Sequence, residues 1–406
     1  MNDLLNKLKS LGLKVDLAVN LPAAGNRRVP IDQVIQGDWE ENNDGRVFTV
    51  SHRYPYGYVH GKQDIHVPGK LEKLTWLLNA PSSIEAEKIL FIDTETSSLS
   101  TGAGSFVFLI GLAWFGEHGL SLKQIFLDHP TNESPFLSSF ERTLAAFTTF
   151  ASFNGKAFDL PMLRSRFVLN RRKPTFEKFD HHDLLHTSRH IWKMRLESRR
   201  LADIEREILH FQRLNEEIPG WLVPQFYFDY LDSGDATPLQ GVFYHNEMDV
   251  VSLAALMLHF DRLVEDQGMI TEQDSRDVFS IGRVLGKYGH WEFSEGFFNS
   301  QILQQLPEEN QREASRYCAS VMKKQGKWEQ AVQYWQYAAE NKDPCACIEL
   351  AKYYEHRQKE IDQALYWTNQ ALLLLDVGIA NDRMTHTQTE HRLARLERKK
   401  GTTHHA

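Results

Sequence analysis

Two acidic residues stand two positions apart where an apolar run ends. Asp93 and Glu95 follow the apolar residues 89–92, and because side chains alternate across a strand, both carboxylates point to the same face. Carboxylates this close repel each other unless a cation compensates them, and Mg²⁺ and Mn²⁺ are hard ions that prefer oxygen ligands. The pair predicts a divalent metal site at the end of a buried strand, although an isolated Asp-Thr-Glu triplet is also common in surface turns.

The segment ASFNGKAFDL supplies a third carboxylate. Asn154 lies near the end of a predicted strand, and Asp159 falls in the first turn of a predicted helix. At that position a carboxylate also has a structural explanation, because it can cap the helix by accepting hydrogen bonds from free backbone N–H groups. Taken alone, this segment favours the capping role, with a metal ligand as the alternative.

His245 and Asp249 stand four residues apart at the start of the apolar stretch YHNEMDVVSLAALM. On a helix this spacing places both side chains on one face. Two interpretations stay open at this point: a plain hydrogen-bonded pair, or a metal ligand beside a general base.

The elements that must position these residues follow an α/β order. KILFID, SFVFLIGLAWF and LSLKQIFLD predict three hairpin-like strands, after which helices and strands alternate. This order predicts an α/β domain over residues 86–262, with a mixed central sheet and helices on its faces. Residues 1–85 show no sustained hydrophobic period, and we expect them to form an N-terminal extension.

Residues 275–400 predict an all-helical domain, because the strand signals end before it. Three similar stretches recur there, KYGHWEFSEGFF, KQGKWEQAVQYW and HRQKEIDQALYW, at intervals close to the roughly 34 residues of tetratricopeptide repeats. They predict tetratricopeptide-like helical hairpins, with an irregular helical bundle as the alternative. Stacked repeats of this kind offer a surface for a protein partner.

The composition excludes several classes of protein. With 42% hydrophobic residues, the chain can bury a sizeable core, and no stretch approaches the roughly 18 apolar residues of a membrane-spanning helix. Three cysteines do not form a secreted disulfide framework, so we expect a cytoplasmic protein without a membrane partner. The net charge of −8 means that nucleic-acid binding would require a local basic patch.

Such a patch lies in residues 151–213, which contain 14 Lys or Arg and 8 Asp or Glu. Its densest part comprises Arg164, Arg166, Arg171, Arg172 and Lys173. These side chains could contact phosphates without reading the base sequence, or they could form an ordinary solvated helix face. The sequence favours neither interpretation.

Taken together, the acidic segments resemble the DEDD superfamily of 3′-to-5′ exonucleases. That family carries Asp-x-Glu on a strand, then Asn-x-x-x-Phe-Asp, then a Tyr or His shortly before an Asp on a helix. The matching residues here are Asp93 and Glu95, then Asn154, Phe158 and Asp159, then His245 and Asp249. The stretches HHDLLHTSRHIW and EEIPGWLVPQFYFDYL are also similar to a bacterial YprB-like group of ribonuclease-H-like proteins. The resemblance spans residues 88–258 and implies a ribonuclease-H-like fold.

The resemblance also implies a chemistry, the hydrolysis of phosphodiester bonds with two Mg²⁺ or Mn²⁺ ions. Asp93 would bridge both ions, Glu95 and Asp249 would complete the site of the ion that activates water, and Asp159 would hold the second ion. His245 would accept the proton of the water, since imidazole exchanges protons near neutral pH.

Tyr244 stays the alternative base. In the family a Tyr stands four residues before the Asp and a His usually five, whereas here His245 holds the four-residue position and Tyr244 the five-residue position.

Nucleic acid is the implied partner, either DNA or RNA, and its 3′ end is expected near the acidic residues. The predicted substrate contacts are Thr96 and Asn154 together with the basic residues Arg164, Arg166, Arg171 and Arg172. Two rival hypotheses remain: a catalytically inactive scaffold that recruits partners through its repeats, and a nucleic-acid-binding module that uses only the basic stretch.

Some other residues resemble ligands but are expected to have structural roles. Asp183 is predicted to cap a helix, and the histidines that surround it would bind zinc only if carboxylates or thiols joined them. Cys345 and Cys347 lie in a helical repeat without a second cysteine pair, so buried packing is the preferred interpretation.

Overall fold

The computed structural model describes residues 28–66, 71–81, 83–98, 104–213, 218–265, 274–378 and 386–403. Seven strands form one sheet in the order β1-β2-β7-β6-β5-β8-β9. Neighbouring strands are antiparallel from β1 to β5, and β5, β8 and β9 are parallel. The strands are β1 Asp38–Asn42, β2 Gly45–Pro55, β5 Ile89–Thr96, β6 Val107–Gly116, β7 Gly119–Phe126, β8 Thr149–Ser152 and β9 Asp180–Asp183, with a separate pair β3 Val59–His60 and β4 Gln63–Asp64.

This mixed sheet confirms the predicted α/β class. The sheet also contains two strands that sequence analysis did not find, since β1 and β2 come from the segment expected to be an N-terminal extension. Their burial does not alternate strictly, because β2 has three consecutive buried residues before an exposed stretch. The boundary at residue 85 stays a prediction, but residues 38–55 lie in the same sheet as the acidic residues. Residues 1–27 of that segment lie outside the described ranges.

The helices cover the sheet and then continue alone to the end of the chain. In the α/β part they are α1 Ile31–Val34, α2 Glu72–Leu77, α3 Glu133–Leu144, α4 Asp159–Leu169, α5 Leu184–Ile191, α6 Leu201–Ile204, α7 Val223–Ser233 and α8 Leu239–Glu265. Beyond it lie α9 Ser275–Lys287, α10 Trp291–Glu295, α11 Ser300–Gln305, α12 Glu308–Lys324, α13 Trp328–Glu340, α14 Pro344–Tyr353, α15 Ile361–Asp376 and α16 His386–Thr403. Within the described ranges, none of the helices has both the length and the apolar character needed to cross a lipid bilayer.

Strand β5 lies inside the sheet and is buried on both faces. Ile89 and Phe91 belong to one apolar core, whereas Leu90 and Ile92 belong to the other. This alternation accounts for the continuous apolar run, because a strand covered on both sides needs apolar residues at every position. It also fixes the direction of the acidic residues that follow, since Asp93 continues the face of Phe91.

Helix α8 crosses that face of β5 at very short range. In the sheet Gly111 pairs with Asp93 on one side and with Gln124 on the other, and the amide of Asn246 from α8 lies directly above it. A Cβ at Gly111 would come within 2.3 Å of the Asn246 Oδ1 atom. Only glycine leaves room for this contact, so the helix can reach the acidic end of β5.

The C-terminal helices pack in consecutive pairs, α12 with α13 and α14 with α15. Small residues are buried where they meet, among them Ala319, Ala331 and Ala346. The region is helical as predicted, and its tetratricopeptide-like character stays a prediction. Helices α9 to α12 contribute to the same apolar core as α8, so this region packs directly on the α/β domain.

Candidate active site

Asp93 is held by a buried chain of amides. Asn246 Nδ2 donates to Oδ2 of Asp93 at 2.9 Å, and Gln124 Nε2 donates to Oδ1 of Asn246 at 3.0 Å. Asn246 and Gln124 are almost fully buried. Because each buried amide has its partner, the chain fixes the carboxylate of Asp93 relative to both sheet and helix.

Asp159 reaches the site from the start of α4, and Thr94 holds it there. Thr94 Oγ1 donates to Oδ1 of Asp159 at 2.5 Å. Phe158, the residue before the helix, makes no side-chain cap, and the carboxylate of Asp159 in the first turn faces β5 through its bond with Thr94. The metal-ligand role of Asp159 stays a prediction.

The loop before Asp159 is organised by Asp183. The Asp183 carboxylate accepts backbone hydrogen bonds from Asn154 at 2.8 Å and from Lys156 at 3.2 Å. It also caps α5 by accepting from the backbone of Leu185, which confirms the capping role predicted for it. Asn154 itself has a φ of 69°, a left-handed conformation that asparagine tolerates better than most residues.

His245 lies beside two of the carboxylates. Its Nε2 atom is 3.6 Å from Oδ2 of Asp249 and 4.0 Å from Oε1 of Glu95. Tyr244 faces a different environment, since it packs against the apolar core that includes Tyr54. The geometry therefore supports His245 over Tyr244 as the residue that serves the acidic cluster.

Arg213 is a basic residue in this site that sequence analysis did not single out. Its guanidinium forms an ion pair with Asp249 and donates to Nδ1 of His245 at 2.9 Å. It also pairs with Glu205 at 2.6 Å, in a π-helical turn, Glu205–Leu209. Its side chain is only 5% exposed, so it is a permanent cation of the interior rather than a surface arginine.

The pKa values of the acidic residues show how strongly they repel one another. Burial, followed by the charges of Asp249 and Asp159, raises the pKa of both Asp93 and Glu95 well above the usual range. Burial likewise raises the pKa of Asp159 to about 6, against the lowering effect of its hydrogen bond from Thr94. Arg213 lowers the pKa of Glu95 but does not restore it. The site therefore lacks positive charge.

The carboxylate oxygens are the ligand type that a hard divalent ion prefers, but their positions do not form a complete metal site. Oxygen ligands in a site short of positive charge are what Mg²⁺ or Mn²⁺ requires. Across the described residues, however, no three His, Cys, Asp or Glu side chains are grouped so as to hold an ion. Asn246, Thr94 and Arg213 each hold one carboxylate instead, and metal binding would require some of these contacts to rearrange. The same finding gives no zinc site at the histidines next to Asp183.

Three of the four acidic residues, Asp93, Glu95 and Asp159, line a cleft of about 240 Å³. Thr96 and Asn154 line it, as predicted for substrate contacts, although the Thr96 hydroxyl donates to the backbone of Ser98 at 2.9 Å. Phe158 borders the cleft with 52% of its surface exposed. An exposed aromatic ring at the rim of an acidic cleft is suited to stacking on a base.

The predicted basic contacts divide into two kinds, and two of them need correction. Arg166 is buried, forms a two-pronged ion pair with Glu133 and stacks on Phe106. Arg172 bridges Glu141 and Asp44. Both are therefore structural, since a substrate phosphate would have to compete with these ion pairs.

Arg164 and Arg171 are exposed, as a phosphate contact requires. Arg164 pairs loosely with Glu177 at 3.3 Å, and both partners of that pair are about half exposed.

The structure also identifies residues that sequence reasoning missed. Thr94 and Asn246 stand directly beside predicted ligands, so the signal for them was proximity to Asp93 and His245. Arg213 had a weaker signal, because it is the last residue of the basic stretch and lies 36 positions before its partner Asp249. A shortage of positive charge could have predicted that a cation was needed, but not which one.

Comparison with known proteins places this site in a family. A model of the RNase_H superfamily matches residues 90–260. The chain is also 32% identical over 361 residues to YprB of Bacillus subtilis (strain 168), described as an uncharacterized protein, across 85% of this chain and 84% of YprB. The chain belongs to the RNase H superfamily.

One similarity to a solved structure was also found. The family B DNA polymerase of the hyperthermophilic archaeon Pyrobaculum calidifontis aligns with a TM-score of 0.36 and 12% identity. The alignment covers 61% of this chain and 34% of the polymerase.

Replacing Arg213 tests whether this guanidinium compensates the buried charges of the RNase H site. Arg213→Met should lower the free energy of unfolding by about 3–5 kcal/mol, because the buried Glu205 and the neighbouring Asp249 lose their partner. Burial raises the pKa of Glu205, so protonation relieves the uncompensated charge at low pH, and the loss should be larger at pH 8 than at pH 5. Urea unfolding at both pH values measures it.

Arg206→Met is the matched control, because Arg206 lies in the same segment but its side chain is 55% exposed. It should change the unfolding free energy little. Equal stability of the two variants would mean that Arg213 does not compensate the site.

Proposed function

We propose that this RNase H domain is a metal-dependent nuclease that hydrolyses phosphodiester bonds of DNA or RNA, removing nucleotides from the 3′ end. The observation that carries the proposal is the convergence of four carboxylates and His245 around the end of β5. They come from three separate segments of the chain, and burial raises the pKa values of three of the carboxylates.

Asp93, Glu95, Asp159 and Asp249 would hold two divalent ions in this proposal. When bound, Mg²⁺ or Mn²⁺ would lower the pKa of a coordinated water and stabilise charge on the leaving oxygen. The chain supplies the support, since the buried amide of Asn246 orients Asp93 and the hydroxyl of Thr94 orients Asp159. Supporting contacts of this kind fix ligands in a productive direction.

The reaction would form a bond from a water oxygen to phosphorus and break the bond from phosphorus to the 3′ oxygen. The products would be a shortened strand with a 3′ hydroxyl and a 5′-mononucleotide. His245 would take the proton of the water at Nε2. The Arg213 hydrogen bond to Nδ1 matters here, because an imidazole that accepts at Nδ1 carries its own hydrogen on Nε2. A base role therefore requires Arg213 to withdraw from His245 first.

The substrate end would lie in the cleft beside Thr96 and Asn154. Phe158 would stack on a base, and Arg164 and Arg171 would contact backbone phosphates, which orient the strand without reading its sequence. Arg166 and Arg172 have no part in this binding, because their ion pairs occupy them.

Asp93→Asn tests the proposed chemistry most simply. Purified protein is incubated with 5′-labelled single-stranded DNA and RNA in Mg²⁺, in Mn²⁺ and in EDTA, and products are resolved by length. The expected result is metal-dependent cleavage that Asp93→Asn reduces by at least about 10³-fold. Stepwise shortening indicates removal of nucleotides from the 3′ end, whereas fragments of internal length indicate endonucleolytic cutting.

Asp362→Asn is the matched control, since Asp362 is an exposed carboxylate of the helical region. It should cleave as the unaltered protein does. Activity that survives Asp93→Asn, or that persists in EDTA, would contradict the proposal.

Substitutions of His245 distinguish a base from a hydrogen-bond donor. If His245 accepts the proton, His245→Gln and His245→Ala should both lose about 10² to 10⁴-fold in kcat. If it only donates a hydrogen bond, His245→Gln should retain most of the activity because its amide still donates. Tyr244→Phe should leave the rate unchanged, and a large loss there would reassign the base to Tyr244.

An inactive scaffold is the second candidate, because one observation favours it. Arg213 holds Asp249, and the described residues contain no ready group of three metal ligands. A protein of this kind would recruit partners through its helical region. Absence of cleavage under every metal condition, with the Asp93→Asn variant indistinguishable from the unaltered protein, would support it.

A further inference from the structure

A strongly basic groove lies where the helical region packs on the RNase H domain. Five cationic side chains line this cavity of about 570 Å³, and among the described residues that form its wall there is no Asp or Glu. We define the basic groove by these residues: Arg189, Lys193, Arg283, Lys287 and Lys324. In a chain whose net charge is −8, such a concentration of one sign attracts a polyanion.

The cations of the basic groove are available to a ligand. All five residues are exposed. Among the described residues, their acidic partner is Glu313, which lies 3.9 Å from Arg283, and both of these side chains are well exposed. Lys287 contacts the ring of His190 at 3.1 Å. Exposed pairs of this kind contribute little, so phosphates could displace them.

Aromatic rings stand between these charges. Lys324 Nζ lies 4.1 Å from the ring centre of Trp291, and the Arg283 guanidinium lies 5.8 Å from that of Tyr317. Both rings line the cavity and are partly exposed. Cations interleaved with aromatic rings are the combination that proteins use to bind single strands, because the cations contact phosphates and the rings contact bases.

A third cavity of about 430 Å³ is lined by chain neighbours of both the basic groove and the acidic cleft, and also by Asp180 and Asp183. Lys156 lines that cavity, and it belongs to the same loop as Asn154 and Phe158, which line the acidic cleft. At the other end Tyr288 lines it, directly beside Lys287 of the basic groove.

Helix α5 lies beside this third cavity, which its residues His186 and Thr187 line. Its cap, Asp183, organises the loop before Asp159, and its last turn carries Arg189 and His190 into the basic groove. Eight helical residues span roughly 12 Å, so the two ends of α5, at Asp183 and at the basic groove, lie on the scale of a few nucleotides apart.

We propose that the basic groove binds the backbone of a single-stranded nucleic acid whose 3′ end occupies the acidic cleft. The inference rests on the proposed function for the direction of the strand, and it adds a second anchoring site formed jointly by the RNase H domain and the helical region. It gives the helical region a substrate-binding role in addition to any protein partner.

The experiment measures binding without cleavage, using the full chain in EDTA and fluorescence anisotropy of labelled oligothymidylate and oligouridylate. Strands of about 4 and about 20 nucleotides separate the cleft alone from the cleft plus groove. Lys193→Glu/Lys324→Glu should weaken binding of the longer strand by about tenfold or more and reduce its salt dependence. Binding of the short strand should not change.

The matched control is Lys359→Glu/Lys400→Glu, which reverses two exposed charges of the helical region outside the groove. This control should bind the longer strand as the unaltered protein does, and thermal unfolding should show both double variants folded. Equal affinity of the groove variant and the control for the longer strand would overturn the proposal. Poly-glutamate that binds as tightly as a single strand of equal charge would also overturn it, in favour of an acidic protein segment.

Cleavage assays separate this proposal from the proposed function. In one outcome the protein cleaves nothing with Mg²⁺ or Mn²⁺, and the groove variant loses binding of the long strand. This outcome supports strand binding by the basic groove and rejects the nuclease function. In the other outcome the groove variant cleaves long and short strands equally well with metal. This outcome rejects strand binding by the basic groove and leaves the nuclease function standing.

Discussion

Repulsion among carboxylates is the constraint on which the rest of this structure depends. Asp93, Glu95, Asp159 and Asp249 share one partly buried site, and among the described residues the buried guanidinium of Arg213 opposes their charge. Burial, followed by the charges of the neighbouring carboxylates, raises the pKa values of Asp93 and Glu95. The site is short of positive charge, so a ligand that binds there would have to be a cation.

The cation itself must be held, and that requirement extends far into the fold. Arg213 is anchored by Glu205, whose carboxylate accepts a hydrogen bond from Ser252 at 2.5 Å, and Ser252 contacts His60 at 2.8 Å. A polar chain therefore runs from the β3–β4 pair through α8 to the acidic site. Buried networks of this kind are costly to break in part, which ties residues near the N-terminal end of the described chain to the acidic residues.

The sequence predicted the architecture well because periodicity reports burial. The run at 89–92 is apolar since β5 is covered on both faces, and the two acids after it point where strand alternation requires. Strands β1 and β2 escaped prediction because their burial follows no clean period of two.

Pairing was less predictable than position. Arg166 and Arg164 lie close together in one basic stretch, yet Arg166 is buried in an ion pair with Glu133 whereas Arg164 is exposed. The local sequence does not predict this difference in exposure, because Glu133 lies 33 residues from Arg166. The supporting contacts of Asp93 and Asp249 likewise come from distant segments and were visible only in three dimensions.

The central claim is that these carboxylates hold divalent ions, and X-ray diffraction from crystals soaked in Mn²⁺ tests it most directly. Anomalous scattering locates manganese without assumptions about the reaction. The account predicts anomalous peaks bounded by Asp93, Glu95, Asp159 and Asp249, with the guanidinium of Arg213 moved away from Asp249. Crystals that show no manganese there, with Arg213 still paired to Asp249, would contradict it.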